Sequence, residues 1–208
     1  MSEGIYLQYG CGMSAPSDWI NFDCSPTLVF EKIPIIGKVY TKNSRAFPDN
    51  VKYGDIVKGL PVPENHCQGI YCSHVLEHLS LVDCRKALYN TYYILKKGGV
   101  FRLVVPDLEA SICKYIENPD NEAAIIFMKE TGLGKESRKR RLSSFFIDWL
   151  GNSGHRWMWD YKALEFELSK AGFKEIRRAY YGDATDKMFN KVEDEGRWIG
   201  CLGIQCIK

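Results

Sequence analysis

Two glycines separated by one residue follow the first apolar segment of the chain. Residues 5–9 have the pattern of a buried strand and run directly into Gly10-Cys11-Gly12. Such a turn lets a ligand approach bare backbone amides. Ala15 completes a G-x-G-x-x-A pattern, but dinucleotide binding also needs a helix after the glycines and an acidic residue about 20 positions on. Asp23 follows Gly12 by only eleven residues, so the turn is predicted to hold a ligand without a pyrophosphate.

Two aspartates stand at or near the ends of the next two predicted strands. Asp23 can accept hydrogen bonds from both hydroxyls of a ribose, and Asp55 can accept one from an exocyclic amine. S-adenosylmethionine (SAM) has both groups, carries no phosphate, and has a sulfonium cation that tolerates nearby carboxylates. The alternative is that both aspartates only form turns, where this residue type is common.

Histidines near these segments could serve a methyl-transfer reaction. Methyl transfer from a sulfonium is an in-line displacement that depends mainly on alignment, and a base is needed only if the acceptor must lose a proton. His74 and His155 are the candidate proton acceptors. Glu77 and His78 could instead be helix-start residues that bond the backbone, and His66 lies in a polar loop.

Short apolar segments alternate with segments of helical spacing, which predicts a parallel sheet covered on both faces. Residues 118–154 interrupt this alternation of strands and helices. They are interpreted as an inserted helical lid that extends to about residue 159. The whole chain is interpreted as a single domain. Acceptor recognition is expected from residues 25–50 and 118–159. Strands are predicted at 5–9, 19–23, 51–56, 69–73, 100–105, 175–181 and 201–207, and helices at 81–97, 107–117 and 160–171.

Composition is that of an ordinary globular protein. The 208 residues are 45% hydrophobic and 26% charged, which excludes a disordered chain, a collagen-like fibre and a coiled coil. A net charge of +2, from 28 basic and 26 acidic residues, lacks the basic excess of a dedicated nucleic-acid binder.

The eight cysteines contain no C-x-x-C pair, and they are interpreted as small, buried, reduced side chains of a cytoplasmic protein. The N-terminal residues are not expected to form a signal peptide. The sequence has no run of 18 apolar residues, so no membrane-spanning helix is predicted.

Several segments together resemble the class I SAM-dependent methyltransferases, in particular the bacterial type associated with glycan biosynthesis. Gln8 stands where many relatives have an acidic residue, and Ser14 replaces a third glycine. The resemblance implies a Rossmann-like sheet of seven strands with the last antiparallel, helices on both faces, and the cofactor over the carboxyl ends of the strands. The segments are LQYGCG (7–12), WINFD (19–23), IYCSHVLEHL (70–79), LKKGGVFRLVVPD (95–107) and HRWMWD (155–160).

The resemblance also implies which residues contact the cofactor. The glycine turn would lie near the methionine part, Asp23 at the ribose, and Asp55 with Ile56 near the adenine. The residues just after the fourth strand would border the methyl-transfer cavity. The predicted cofactor contacts are Tyr9, Gly10, Cys11, Gly12, Asp23, Cys24, Asp55, Ile56, Cys72, Ser73 and His74.

The same histidines are also candidates for binding a divalent cation. Ubiquinone-pathway and small-RNA O-methyltransferases have a similar run, Glu-x-x-Glu-His with a distant histidine, that binds a divalent cation. Here the run is His74-x-x-Glu77-His78, with His155 downstream, so one carboxylate is missing. An imidazole suits magnesium poorly, and zinc or manganese would tolerate it better. The sequence-based expectation is that no residue binds a metal.

The sequence therefore predicts a SAM-dependent methyltransferase acting on a small-molecule or glycan-type acceptor, most simply at oxygen. The alternatives are a cofactor-binding module without catalysis and an NAD-dependent oxidoreductase. Basic residues at 135 and 138–141 form a solvated face or hold an anionic acceptor, with RNA binding less favoured. Trp157, Met158 and Trp159 either pack in the core or form a platform for a sugar ring.

Overall fold

The computed structural model describes residues 4–32, 46–136 and 154–208, and these contain a seven-stranded sheet. The strands are β1 (Ile5–Tyr9), β2 (Ile20–Asp23), β3 (Val51–Tyr53), β4 (Cys67–Ser73), β5 (Leu95–Pro106), β6 (Lys174–Ala179) and β7 (Cys201–Ile207). Their order across the sheet is β3-β2-β1-β4-β5-β7-β6. β1 to β5 pair in parallel, and β7 runs antiparallel to both of its neighbours. The predicted Rossmann-like sheet with an antiparallel last strand is confirmed.

The helices begin and end at residues that cap them. Ser80 accepts a hydrogen bond from the amide of Asp83, and Asp107 accepts from the amides of Glu109 and Ala110. Asp160 caps the last helix, and Gly172 ends it in the left-handed conformation. The helices are α1 (Pro26–Glu31), α2 (Leu81–Ile94), α3 (Leu108–Glu117), α4 (Ala123–Glu130) and α5 (Tyr161–Ala171).

The connection between β1 and β2 contains no helix, as the spacing of the glycine turn predicts. Gln8 is buried in β1 and donates from Nε2 to Ser14 O at 2.6 Å and to Asn21 Oδ1 at 2.7 Å. Asn21 in turn donates to the carbonyls of Pro16 and Trp19. These bonds fold residues 10–19 into a compact loop, and they use the amide that distinguishes Gln8 from the acid common in relatives.

The two faces of the sheet are covered differently. On one face, Ile70 and Leu103 pack with Cys84 and Leu88 of α2 and with Leu164 of α5. The alternate residues of the same strands, including Tyr71 and Val104, pack on the other face with Trp19, Phe189 and Trp198. Two of those covering residues come from the β6–β7 connection, which forms two short 3₁₀ helices, Lys187–Lys191 and Glu195–Arg197.

The predicted helix over 81–97 is wrong at its end, because α2 stops at Ile94 and β5 begins at Leu95. Leu95 is fully buried and pairs with Cys67, so burial in the sheet replaces the last turn of helix. Gly98 has φ +74° and lies within β5, where the register shifts. The glycine pair is therefore an irregularity of the strand rather than the stop of the helix.

Other differences concern bounds and exposure. β3 is shorter than the predicted strand over 51–56, so Asp55 lies in the turn after it. All eight cysteines are free, but Cys24 and Cys113 are exposed, so the prediction of burial is wrong for these two. Among the described residues, no helix has the length and apolar character needed to cross a membrane.

The predicted insertion is represented in the described residues by α4, which lies against α3 and includes the first apolar stretch of the segment. Tyr115 and Phe127 make the aromatic contact between them, with ring centroids 5.5 Å apart. The second apolar stretch and the basic residues 138–141 lie outside the described residues.

Candidate active site

A cavity of about 550 Å³ opens at the carboxyl ends of β1, β2 and β4. This is the edge where parallel α/β sheets bind ligands. Six of the predicted cofactor contacts line it, and the rest of its wall comes from the loops around it. The lining residues are Gln8, Tyr9, Gly10, Cys11, Gly12, Met13, Ser14, Asp23, Ser25, Phe47, Tyr71, Ser73, Val192, Asp194 and Arg197.

The glycine turn forms one wall of this cavity. Gly10 has φ +65°, and a Cβ added there would meet Val75 Cγ2 at 2.2 Å. Gly12 has φ +54°, with open space where its Cβ would be. The first glycine is therefore required both by conformation and by the close passage of the segment after β4, whereas the second is required by conformation alone.

Asp23 fixes the turn from the end of β2. Its Oδ2 accepts from Gly12 N at 2.9 Å and its Oδ1 accepts from Ser25 N at 2.7 Å. The residue is buried at 8% exposure but still lines the cavity. Since each carboxylate oxygen can accept more than one hydrogen bond, both remain able to accept from a ligand.

Five predicted contacts are not in the cavity lining. Asp55 Oδ1 accepts from Val57 N, and its other oxygen pairs with Lys58 at 3.4 Å. Cys72 is fully buried below the cavity floor among core residues, and Ile56 is also buried. The others are Cys24, which is exposed, and His74, which lies next to the lining residue Ser73.

The sequence-based reasoning missed Arg197. This exposed residue lines the cavity from the β6–β7 connection and donates through Nε to Ser73 Oγ at 3.0 Å and through Nη2 to Ser73 O at 2.8 Å. The two residues are 124 positions apart. No local motif marks Arg197, and only the fold of the connection brings it to the end of β4.

His74 stands immediately after β4 in a left-handed conformation, φ +56°, which is uncommon for a side chain other than glycine. Its Nδ1 lies 3.0 Å from Ser73 Oγ, and its Nε2 lies 3.6 Å from Cys201 Sγ. Burial, together with the positive charge of Arg197, lowers the pKa of His74 to about 4. The imidazole is therefore neutral at physiological pH and able to accept a proton.

The second candidate base, His155, lies apart from the cavity lining. Its Nδ1 is 2.6 Å from Thr131 O, and its ring centroid is 4.9 Å from that of His78. Glu77 lies beside them, almost completely buried, and desolvation raises the pKa of its carboxyl to about 7. The structure thus places His74 next to a cavity residue and His155 in a cluster with Glu77 and His78, close enough for His155 and His78 to contribute to the lowered pKa of His74.

The tryptophans of segment 155–160 have different environments. Trp159 is fully buried in the core, and Trp157 is 40% exposed, with the two ring centroids 6.0 Å apart. Only Trp157 is available to a ligand.

Comparison with known proteins agrees with this geometry. A family described as a methyltransferase domain matches residues 7–103, the part of the chain that contains β1 to β4, α2 and most of β5. A search of curated proteins finds no significant match.

Several solved structures of similar fold are described as SAM-dependent methyltransferases. The chain superposes on a SAM-dependent methyltransferase from Thermotoga maritima, described as a possible histamine N-methyltransferase, with TM-score 0.53, 16% identity and coverage of 100% of this chain and 84% of that one. The chain also superposes on a SAM-dependent methyltransferase from Archaeoglobus fulgidus, with TM-score 0.50, 15% identity and coverage of 99% of this chain and 86% of that one. The superposition on PigF with S-adenosylhomocysteine (SAH) has TM-score 0.51 and 16% identity, and it covers 98% of this chain and 50% of that one.

The fold and the cavity at its carboxyl edge define a class I methyltransferase architecture. With the methyltransferase domain matched over residues 7–103, the chain is a SAM-dependent methyltransferase, and SAM is its cofactor.

Proposed function

We propose that the chain transfers the methyl group of SAM to a hydroxyl oxygen of a small-molecule or glycan-type acceptor, in the cytoplasm. The observation that carries this proposal is a neutral, half-buried imidazole, His74, which follows the cavity residue Ser73. A hydroxyl acceptor must lose its proton during transfer, and a neutral imidazole can take it. The exposed ring of Trp157 offers a surface on which a sugar could stack.

The cavity suggests how the cofactor lies. The methionine part would sit against Gly10, Cys11 and Gly12, the ribose would bond Asp23, and the adenine would extend toward Asp55 and Ile56. Tyr9 and Ser73 would form the floor, with Cys72 behind it and Cys24 at the rim. Arg197 uses Nε and Nη2 for Ser73, which leaves Nη1 outside these contacts and able to bind the methionine carboxylate.

His74 is the better candidate for the proton acceptor. If its Nδ1–H donates to Ser73 Oγ, which also accepts from Arg197, Nε2 carries the lone pair, and it can take a proton when the thiol of Cys201 donates to Ile199 O instead. His155 is committed through Nδ1 to Thr131 O and lies in the other cluster.

Cofactor binding is tested by calorimetry with SAM, SAH and NAD. SAM and SAH should bind, and NAD should not, because residues 10–19 supply no helix N-terminus for a pyrophosphate. Asp23→Asn should weaken SAM binding about 10- to 150-fold, the effect of losing hydrogen bonds to a charged group worth roughly 1.5–3 kcal/mol. Asp49→Asn, at an exposed turn outside the cavity lining, is the matched control.

Binding of NAD in preference to SAM would overturn the proposal in favour of an oxidoreductase. SAM binding without turnover on any acceptor would favour a binding module. Transfer is assayed on matched acceptors that differ only in a hydroxyl or an amine. Methylation of the amine alone would reject oxygen as the acceptor atom, and an acceptor affinity that falls steeply with salt would indicate an anionic acceptor or RNA.

A further inference from the structure

Three metal-ligating side chains meet just beyond the carboxyl end of β4. One ligand atom from each of Glu77, His78 and His155 lies within 4.8 Å of the others. Backbone bonds hold the two contributing segments together, because Arg156 N and Trp157 N donate to Glu77 O at 2.7 and 3.1 Å. The cluster is therefore a built part of the fold rather than a chance contact of flexible side chains.

The carboxylate of Glu77 is buried, and no hydrogen bond from the described part of the chain reaches it. The residue is 1% exposed, and neither of its oxygens has a hydrogen-bond partner among the described residues. The nearest ion-pair contact is His78 Nε2, 3.9 Å from Oε1. Burying a carboxylate that has no hydrogen-bond partner is strongly unfavourable. We therefore expect a proton or a cation to neutralise Glu77.

Both imidazoles of the cluster are oriented by backbone carbonyls. His155 Nδ1 lies 2.6 Å from Thr131 O, and His78 Nδ1 lies 3.3 Å from Gly154 O. Since a carbonyl can only accept, Nδ1 carries the proton in each ring and Nε2 keeps its lone pair. Histidines that bind metals have this arrangement, with the second nitrogen donating to a carbonyl or carboxylate.

The donor set selects the kind of cation. Two neutral imidazoles and one carboxylate suit zinc and neighbouring transition metals, whereas magnesium prefers oxygen ligands and retained waters. Ligands on a tetrahedral zinc ion with bonds of roughly 2.1 Å lie about 3.4 Å apart. A closure of at most about 1.4 Å by side-chain rotation would bring the ligand atoms, now within 4.8 Å of one another, to that geometry.

We propose that Glu77, His78 and His155 bind a zinc-class divalent cation. The sequence alone favoured a site without metal, because His74 replaces a carboxylate in the run, but the structure supplies a compact three-ligand set from the remaining residues. A site with three protein ligands leaves a coordination position open. That position would take an oxygen of the acceptor, a role that depends on the proposed methyl transfer, whereas the binding of the cation does not.

The test is a titration of the full-length, chelator-treated protein with Co²⁺, followed by its visible absorption, and then competition with Zn²⁺. One equivalent should bind, and its spectrum should be that of nitrogen and oxygen ligands without thiolate charge-transfer bands. Glu77→Gln, His78→Ala and His155→Ala should each lose more than the roughly 10- to 100-fold in affinity that an outer-shell change costs. His66→Ala, in the loop before β4, should bind cobalt as the wild type does.

Lack of saturable cobalt or zinc binding by the wild type would overturn the proposal. Equal binding by the three ligand variants, or thiolate bands from the free cysteines, would also overturn it. If Glu77→Gln does not fold, the partly exposed His155→Ala decides, with folding checked by circular dichroism.

The same samples separate this inference from the proposed function. SAM is titrated by calorimetry into the metal-free protein, where it should still bind. A protein that binds SAM but does not bind cobalt would refute only the metal site. A protein that binds cobalt but does not bind SAM would refute only the proposed function. For the acceptor role, chelation should abolish transfer and zinc or manganese should restore it; full activity after chelation would reject that role.

Discussion

At the scale of single residues, His74 combines an unfavourable backbone conformation with an unfavourable environment for charge. A non-glycine residue in the left-handed region costs on the order of 1 kcal/mol or more, and it persists only where its surroundings hold it. Here Ser73, Arg197 and Cys201 hold the ring and its neighbouring backbone. Strain and a perturbed side chain at one position beside a cavity are typical of residues that act in the reaction.

The first residue-scale prediction is a pH profile. Burial lowers the pKa of His74 to about 4, with smaller contributions from the positive charge of Arg197 and from the nearby His155 and His78. A base must be deprotonated to act, so kcat/KM should stay level with respect to this group from pH 8 to about 5.5 and fall as pH approaches 4. An acid limb near 6.5 in the wild type would contradict an imidazole with this pKa.

His74→Ala provides the companion measurement. Its activity should fall about 100-fold or more, in the range general-base catalysis contributes, while SAM affinity changes little. His66→Ala is the matched control, and full activity of His74→Ala would remove the assignment.

At the scale of elements, the β6–β7 connection is held by one buried arginine. Arg102 of β5 is fully buried and donates to Glu193 Oε1 through Nε and Nη2, at 2.8 and 2.6 Å. Its Nη1 bonds Asp183 and Gln205, both at 2.8 Å. Glu193 lies next to the cavity residues Val192 and Asp194, so this network positions that wall of the cavity.

Removing the arginine should therefore affect both stability and cofactor binding. Arg102→Met leaves the buried Glu193 without its cation, although Gly182 N still donates to it, and should lower the free energy of unfolding by about 3–5 kcal/mol and weaken SAM binding. Lys114→Met, which breaks the exposed pair with Glu130, should cost about 1 kcal/mol or less and leave SAM binding unchanged. Urea unfolding and calorimetry measure both quantities, and equal effects of the two variants would contradict this role of the network.

At the scale of the whole molecule, we propose that cofactor binding and acceptor recognition use different parts of the chain. The cavity is built by residues before 74 and after 191, whereas the proposed lid spans about 118–159. The lid adjoins the sheet through the 3₁₀ turn Leu76–His78, since Arg156 N donates to Glu77 O. We expect the single domain to bind SAM without the lid but to require it for the acceptor.

Deletion of residues 121–151, replaced by a short glycine-serine linker, tests this division. SAM affinity should remain within about threefold of the intact chain, because the described residues of the deleted segment, 121–136, do not line the cavity. Methyl transfer should be lost. A folded deletion variant that no longer binds SAM would refute the assignment of the segment to acceptor recognition.

The sequence by itself determined the order of the seven strands, the helix-free loop after β1 and the residues that form the glycine turn, but it did not predict α1. These depend on periodicity, capping residues and turn chemistry, which are properties of neighbouring residues. Only the tertiary structure decided that α2 ends at Ile94, that Arg197 reaches Ser73 across 124 positions, and that His155 meets His78. The physical reason is that sheet register and burial set these contacts, and both arise from partners far apart in the chain.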